Sequence, residues 1–481
     1  MDETIVSRIL SYASTQPEKI ALKFKSKIVD YLQLKENVLK YSASLQNRGV
    51  GKGNIVLLSG ENKLEFIFTY FAVHYLGAVN VVIDSHSNPE RLQYIITATK
   101  PKLKIGGLIG DDIISYEALT IDGIKSNNIQ IESSSDGICD ILFTTGTTSA
   151  PKGVCLSHRN ELAAATNINE FIGNTENDIE LIALPLCHSF GLGRLRCTLY
   201  KGATAIILNG FTNVKKFFTT IEDESVTGFG MVPAAWNYLK KASGERIGQF
   251  KGQLKYIEIG SAPMPIDEKK LLCQLLPETR ICMHYGLTEA SRSTFSEFHE
   301  NYNNLDSVGI HSPNVEVRVK DIEGKDVATA TEGEICVKGG HVMEKYLDEK
   351  DNATAWYGDF FRTGDWGYMN DDGRIYLKGR GKELINVGGK KLSPEEVERE
   401  IMQLGWFADC ACVGITDPKG VLGEVVKCYA VIGTEEYTIV DLTTALQGKL
   451  EVYKIPVQLE YIDKIPTTES GKKQRLQLKS R

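Results

Sequence analysis

IVLLSGENKLEFIFTYFAVHYLGAVNVVIDSHSNPERLQYIITATK, residues 55–100, sets the architecture of the chain. Its first block, IVLLS at 55–59, is too short for a helix and reads as a buried strand. EFIFTYFAVHYL at 65–76 is long enough for a helix and stops at Gly77. AVNVVI at 78–83 is again strand-like, and PERLQYIITATK at 89–100 is amphipathic at helical spacing. Strand and helix in strict alternation give βαβ units, which means a parallel sheet covered by helices. Residues 66–83 are the most membrane-like segment, but His74, Gly77 and Asn80 interrupt them, so no transmembrane span is expected.

Outward from this run the pattern repeats. IELIALPL (179–186), ATAIILNG (203–210), VTGFGMVP (226–233) and LKYIEIG (254–260) form a second alternating series. The expected fold class is therefore α/β, with a large multi-subdomain N-terminal region carrying two such layers. After about residue 305 the texture changes to short alternating strands, VEVRVKD, GEICVKG and GRIYLKGR, separated by the turns DIEGKD and NDDGR. That predicts a small β-rich unit. GRGKELINVGGKKLSPEEVEREI (379–401) then opens a small α+β C-terminal segment, with a helix capped at Ser393. The expected division is a body over 1–379 and a smaller domain over 380–481.

A chain of 481 residues with a formal charge of −7 lacks the concentrated basic face that nucleic acid demands. The ten cysteines show no disulfide or zinc spacing, and MDETIVSRIL lacks a basic head before an apolar run. A reducing, cytoplasmic setting is the expectation.

The densest chemistry is TTGTTSAPKG, residues 144–153, following the strand ILF. Thr144, Thr145, Gly146, Thr147 and Thr148 supply donors without bulk, and Lys152 adds a movable positive charge, a combination suited to polyphosphate. A Ser/Thr/Gly cluster is also how a polar hairpin is built. The Walker pattern is absent, because Lys152 precedes Gly153 and no helix-opening Ser or Thr follows.

This loop resembles the signature of the adenylate-forming superfamily, which includes acyl-CoA synthetases, with Ser149 in place of a second glycine. Five further motifs follow in that family's order. GSAPMP (260–265) is similar to its adenine-side loop, at Ser261, Ala262 and Pro263. HYGLTEA (284–290) is similar to Y-G-x-T-E; the resemblance implies that Tyr285, Gly286, Leu287 and Thr288 line the nucleotide and that Glu289 is a ligand for Mg²⁺. FRTGDWG (361–367) and GRGKELI (379–385) resemble the ribose elements, implying Asp365 and Arg380 as ribose partners and Lys382 as the hinge. PTTESGK (466–472) resembles the C-terminal element whose lysine, here Lys472, is catalytic. Gly388 and Gly389 are similar to the glycines lining the tunnel for a pantetheine thiol.

The resemblance implies ATP-dependent formation of an acyl-adenylate from a small carboxylic acid, then transfer to CoA or to the phosphopantetheine of an acyl carrier protein. The C-terminal domain is expected to move between the two steps. PLCHSFGLGRLRC (185–197) resembles the element bordering the acyl pocket, with His188 as gate and Ser189 where amino-acid-activating members carry an aspartate. Arg194 and Arg196 follow; Arg194 either clamps a second carboxylate of the substrate or serves an internal ion pair. A non-catalytic nucleotide-binding scaffold is the alternative of another class; Lys472 and Glu289 are the residues whose presence argues against it.

Overall fold

The computed structural model describes residues 3–87, 89–108, 110, 112–119, 131–144, 151–381, 383–387, 390–418, 422–433, 435–468 and 471–479. The described residues divide into two compact units: those of 1–144, 151–316 and 338–355 in one, and those of 317–337 and 356–481 in the other. Residues 317–337 and 356–379 of the β-rich segment thus group with the C-terminal residues, while 338–355 belong to the first unit.

The first unit holds two α/β sheets. In the seven-stranded sheet, Ile138–Phe143, Val79–Ile83, Ile55–Ser59, Leu103–Ile105 and Ile113–Ile114 run parallel in that spatial order. Gly153–Ser157 pairs antiparallel with Ile138–Phe143, and Lys345–Tyr346 pairs antiparallel with Gly153–Ser157 at the edge. In the helix Leu64–Tyr75, Leu64 and every residue from Phe66 through His74 are buried, as its apolar faces require. Gly77 ends it at φ +62°, and a Cβ there would lie 2.8 Å from the Glu132 carbonyl oxygen, so both backbone and space call for glycine.

The nine-stranded sheet has a parallel centre of Arg280–Tyr285, Tyr256–Ile259, Gly228–Met231, Ile179–Ile182, Thr204–Ile207 and Ile20–Phe24. One of its cores gathers Leu181, Phe217, Phe229, Trp236, Ile257 and Ile281. The helix Ser189–Tyr200 is buried along its length, and Arg196 on it reaches Tyr70 and Asp140 of the other layer, at 3.0 and 3.1 Å. Helices hidden on every side carry charge only where it is paired.

Most of a five-stranded sheet falls in the second unit: Val315–Lys320 from residue 317, Gly333–Gly339 up to residue 337, Phe360–Met369 and Trp356–Tyr357, with Ile375–Arg380 pairing on Phe360–Met369. Beyond it, the three-stranded sheet Phe407–Thr416, Glu424–Ile432 and Gln458–Tyr461 packs with the helices Pro394–Met402 and Ile439–Leu446 around Val397, Ile401, Cys410, Cys412, Val426 and Leu442. Pro394 opens its helix as expected, but the Ser393 side chain makes no capping bond. None of the ten cysteines forms a disulfide, and all are buried. Among the described residues no helix is long and apolar enough to cross a membrane.

Candidate functional site

The phosphate-type loop is the connection of a hairpin. Ile138–Phe143 and Gly153–Ser157 pair antiparallel with Phe143 opposite Gly153, and Thr144 and Lys152 close the base through Thr144 N–H to the Lys152 carbonyl (2.9 Å) and Lys152 N–H to Thr144 Oγ1 (3.1 Å). Thr145, Gly146, Thr147 and Thr148 lie outside the described residues. Arg91 donates to the carbonyl of Thr144 at 3.2 Å. The Lys152 ammonium stands 3.0 Å from Asp351 Oδ1 and 4.6 Å from the centre of the Tyr346 ring.

The nucleotide-side motifs sit at the carboxyl ends of adjacent parallel strands, where open α/β sheets bind ligands. Tyr256–Ile259 runs into Gly260, Ser261, Ala262 and Pro263, and Arg280–Tyr285 runs into Gly286, Leu287, Thr288 and Glu289. A Cβ on Gly260 would lie 2.1 Å from the His284 ring, so glycine is what lets the two strand ends approach. Ser261 adopts φ +73°, uncommon for a residue with a side chain. A Cβ on Gly286 would meet the Arg292 nitrogen at 2.4 Å, and Leu287 and Ala290 exchange backbone hydrogen bonds at 3.0 and 3.2 Å. This tight turn presents Glu289, which is 8% exposed and accepts from the Tyr346 hydroxyl at 2.8 Å. A single protein carboxylate is a hard oxygen donor suited to Mg²⁺, an ion that takes most of its ligands from water and phosphate.

His188 is the residue before the helix Ser189–Tyr200, half-buried, with a ring nitrogen within 4.8 Å of both the Asp84 carboxylate and the Cys187 thiol. Of the two readings of Arg194, substrate clamp or internal ion pair, its contacts match the ion pair. Its guanidinium is 1% exposed and forks onto Glu180, with Nε and Nη2 each 2.5 Å from a carboxylate oxygen, while Nη1 reaches Glu258 at 3.1 Å. Arg292 adds a second cation, 3.0 Å from Glu258 Oε1 and 4.8 Å over the Phe190 ring. His284 Nδ1 lies 2.6 Å from the same Glu258 oxygen. Burial alone would push the Glu258 carboxyl up, but Arg292, His284 and Arg194 outweigh it and hold it well below the usual range. Burial lowers the pKa of His284, against the pull of Glu258 beside it. Two guanidiniums therefore face two carboxylates in a closed, balanced cluster, and Arg194 retains no charge for a ligand. Arg196 is spent likewise on Asp140 and Glu161.

In the second unit, Asp365 and Arg380 are register partners on neighbouring strands, so the two ribose-type residues come together along the backbone. Gly364, at φ +73°, donates its N–H to Glu334, and the Thr363 hydroxyl accepts from Asp365 N–H at 3.0 Å. Lys472 is exposed on a tight turn: Thr468 N–H donates to its carbonyl at 2.8 Å, and its own N–H donates to Thr468 Oγ1 at 3.0 Å. Its neighbours are locked down. Lys473 pairs with Asp409 (2.8 Å) and Glu398 (3.3 Å), and Arg475 with Glu398 (2.7 Å) and Glu383 (2.8 Å). Lys472 thus stands on a base fixed by the ion pairs of its neighbours. Lys382, Gly388 and Gly389 lie outside the described residues.

Sequence reading missed Tyr346, Asp351, Arg91 and Arg292. Only Arg292 carried a signal, a lone charge among the small residues of EASRSTF (289–295).

The model of the AMP-binding enzyme family matches residues 11–347, and that of the AMP-binding enzyme C-terminal domain matches 396–472. The chain is 29% identical to the 2-succinylbenzoate–CoA ligase of Geobacillus sp. (strain WCH70), over 100% of its own length and 98% of that protein. Its fold superposes on o-succinylbenzoate CoA synthetase from Bacillus subtilis in complex with the acyl-adenylate OSB-AMP, with TM-score 0.90, 25% identity, and 98% and 97% of the two chains covered. The same enzyme with ATP and magnesium ion matches at TM-score 0.90 and 25% identity, covering 98% and 99%. With its strand-end loops in the order found above, the chain belongs to the AMP-binding enzymes of the adenylate-forming superfamily and is an acid–thiol ligase of the AMP-forming type.

Proposed function

We propose that this chain converts a carboxylic acid, ATP and CoA into an acyl-CoA, AMP and pyrophosphate through a bound acyl-adenylate. In the first step a carboxylate oxygen attacks the α-phosphorus of ATP in line, and the bond to the β-phosphate oxygen breaks. In the second the CoA thiol attacks the acyl carbon, loses its proton and expels AMP. The observation that carries this reading is that the cation of the phosphate hairpin, Lys152, and the carboxylate of Glu289 converge on one residue, Tyr346. A charge for the β- and γ-phosphates and an oxygen for their metal are thereby fixed in one frame.

In this reading Mg²⁺, held by Glu289, neutralises phosphate charge. Lys152 and the loop residues Thr144, Thr145, Gly146, Thr147 and Thr148 hold the β- and γ-phosphates. Ser261, Ala262, Pro263 and Tyr285 to Thr288 bound the adenine and α-phosphate side, and Asp365 with Arg380 takes the ribose. Lys472 bridges the α-phosphate and the acid's carboxylate. A body over 1–379 and a mobile domain over 380–481, hinged at Lys382, alternate between the two steps, and Gly388 and Gly389 pass the thiol. His188 and Ser189 border the acyl pocket. Buried cysteines with no disulfide among them fit a cytoplasmic enzyme. The test is ATP–pyrophosphate exchange across a panel of acids that includes 2-succinylbenzoate, followed by thioester formation with CoA. Exchange that requires an acid supports the reading; ATP binding with no exchange for any acid overturns it.

A further inference from the structure

The segment 343–352 follows the phosphate hairpin closely. Lys345 and Tyr346 pair antiparallel with Cys155 and Val154, and Leu347 N–H donates to the Gly153 carbonyl at 2.7 Å. The segment is also fastened to the turn of Glu289, whose carbonyl accepts from Met343 N–H at 2.8 Å. Tyr346 is therefore held between the two loops by backbone alone. Asn352 fixes it further: its Oδ1 accepts from Tyr346 N–H at 2.8 Å and its Nδ2 donates to the Tyr346 carbonyl at 3.1 Å.

The side chains complete the bridge. Tyr346 is 7% exposed; its hydroxyl donates to Glu289 Oε1 and its ring face receives the Lys152 ammonium. Asp351, five residues on in the same segment, pairs with that ammonium at 3.0 Å. A carboxylate that accepts a hydrogen bond from a hydroxyl at one oxygen is restrained in rotation, which favours one direction for the other oxygen. Groups of this kind, one bond behind a metal ligand, set ligand orientation and metal affinity.

We propose that Tyr346 is a positioning residue that orients Glu289 toward the Mg²⁺ of the nucleotide, with Asp351 and the ring of Tyr346 holding Lys152 beside it. The proposal rests on the assignment of Glu289 as the metal carboxylate. It makes segment 343–352 a strap through which metal and phosphate binding are coupled.

Tyr346→Phe removes one hydrogen bond while keeping the ring beneath Lys152. Calorimetric titration of ATP at a series of Mg²⁺ concentrations reads the effect without turnover. The Mg²⁺ concentration that half-maximally tightens ATP binding is expected to rise about tenfold in Tyr346→Phe. ATP affinity without Mg²⁺ and the thermal midpoint should stay at their original values. Glu289→Gln, in parallel, is expected to lose the Mg²⁺ effect. If Tyr346→Phe keeps its Mg²⁺ dependence within about twofold while Glu289→Gln loses it, the positioning role fails and the metal assignment stands. A lower thermal midpoint with unchanged Mg²⁺ dependence likewise makes Tyr346 structural only. If Glu289→Gln itself retains the original Mg²⁺ dependence, the assignment fails and takes the proposal with it.

Discussion

Replacing Arg194 by methionine distinguishes a buried ion pair from a substrate clamp, and the two roles give opposite results. Removing the guanidinium strips Glu180 of both its 2.5 Å contacts and leaves it the hydroxyls of Thr198 (2.7 Å) and Tyr256 (2.9 Å). Glu258 fares better, because Arg292 remains at 3.0 Å. The cost therefore falls mainly on Glu180, and orphaning a buried carboxylate destabilises by about 3–5 kcal/mol. That is a large share of the roughly 5–15 kcal/mol that holds a typical domain together. Denaturant unfolding of Arg194→Met should show this loss. Adding Glu180→Gln should recover most of it, since the second change removes the orphaned charge. The folded fraction should keep its ratio of activities on dicarboxylic and monocarboxylic acids within about threefold, roughly 0.6 kcal/mol. A variant that stays within about 1 kcal/mol of the original stability yet loses the dicarboxylic acid selectively would refute this reasoning.

Two further outcomes follow from the same packing. Burial pushes His158 down to about 3 and His341 to about 4, so both are neutral when folded, whereas the unfolded chain protonates them near the ordinary pKa of about 6.5. Stability is complete above that value and falls as the pH drops toward the folded pKa values. By pH 5 each histidine should cost about 2 kcal/mol relative to pH 7, and His341→Gln should flatten its share in unfolding measured at the two pH values. Equal stability at pH 7 and 5 would contradict the burial argument. Gly260→Ala places a methyl 2.1 Å from the His284 ring, which Phe190 confines edge-on at 4.7 Å. The ring or the 260–265 loop must shift, so ATP affinity should fall and stability drop by about 1–3 kcal/mol; unchanged ATP binding and thermal midpoint would show that the strand ends yield freely.

The layered α/β region was legible because its periodicity is local. A helix stopped by Gly77 before a five-residue strand can be read from residues 64–83 without knowing what covers them. The β-rich segment was equally plain from its turns, two of which hold glycines at positive φ, Gly324 and Gly373. Its grouping with the C-terminal residues was not, because that depends on packing between segments far apart in sequence. For the same reason Arg194 left two readings open: its partners come from the strands Ile179–Ile182 and Tyr256–Ile259, and the burial of the whole helix settles which applies. Tyr346 and Asp351 gave no sign at all. Nothing in KYLDEKDN (345–352) refers to a lysine nearly two hundred residues earlier.

Lys472 carries the central claim, since it is the cation assigned to the reacting phosphate and carboxylate. Its turn is held by Thr468 and its neighbours by Glu398, so truncation of the exposed side chain should leave the fold intact. The decisive measurement compares two half-reactions in Lys472→Ala: acid-dependent ATP–pyrophosphate exchange, and thioester formation from CoA and preformed acyl-adenylate. The account predicts that exchange falls by about a hundredfold or more while thioester formation is retained. Exchange at the original rate, or equal loss of both half-reactions in folded protein, would contradict it.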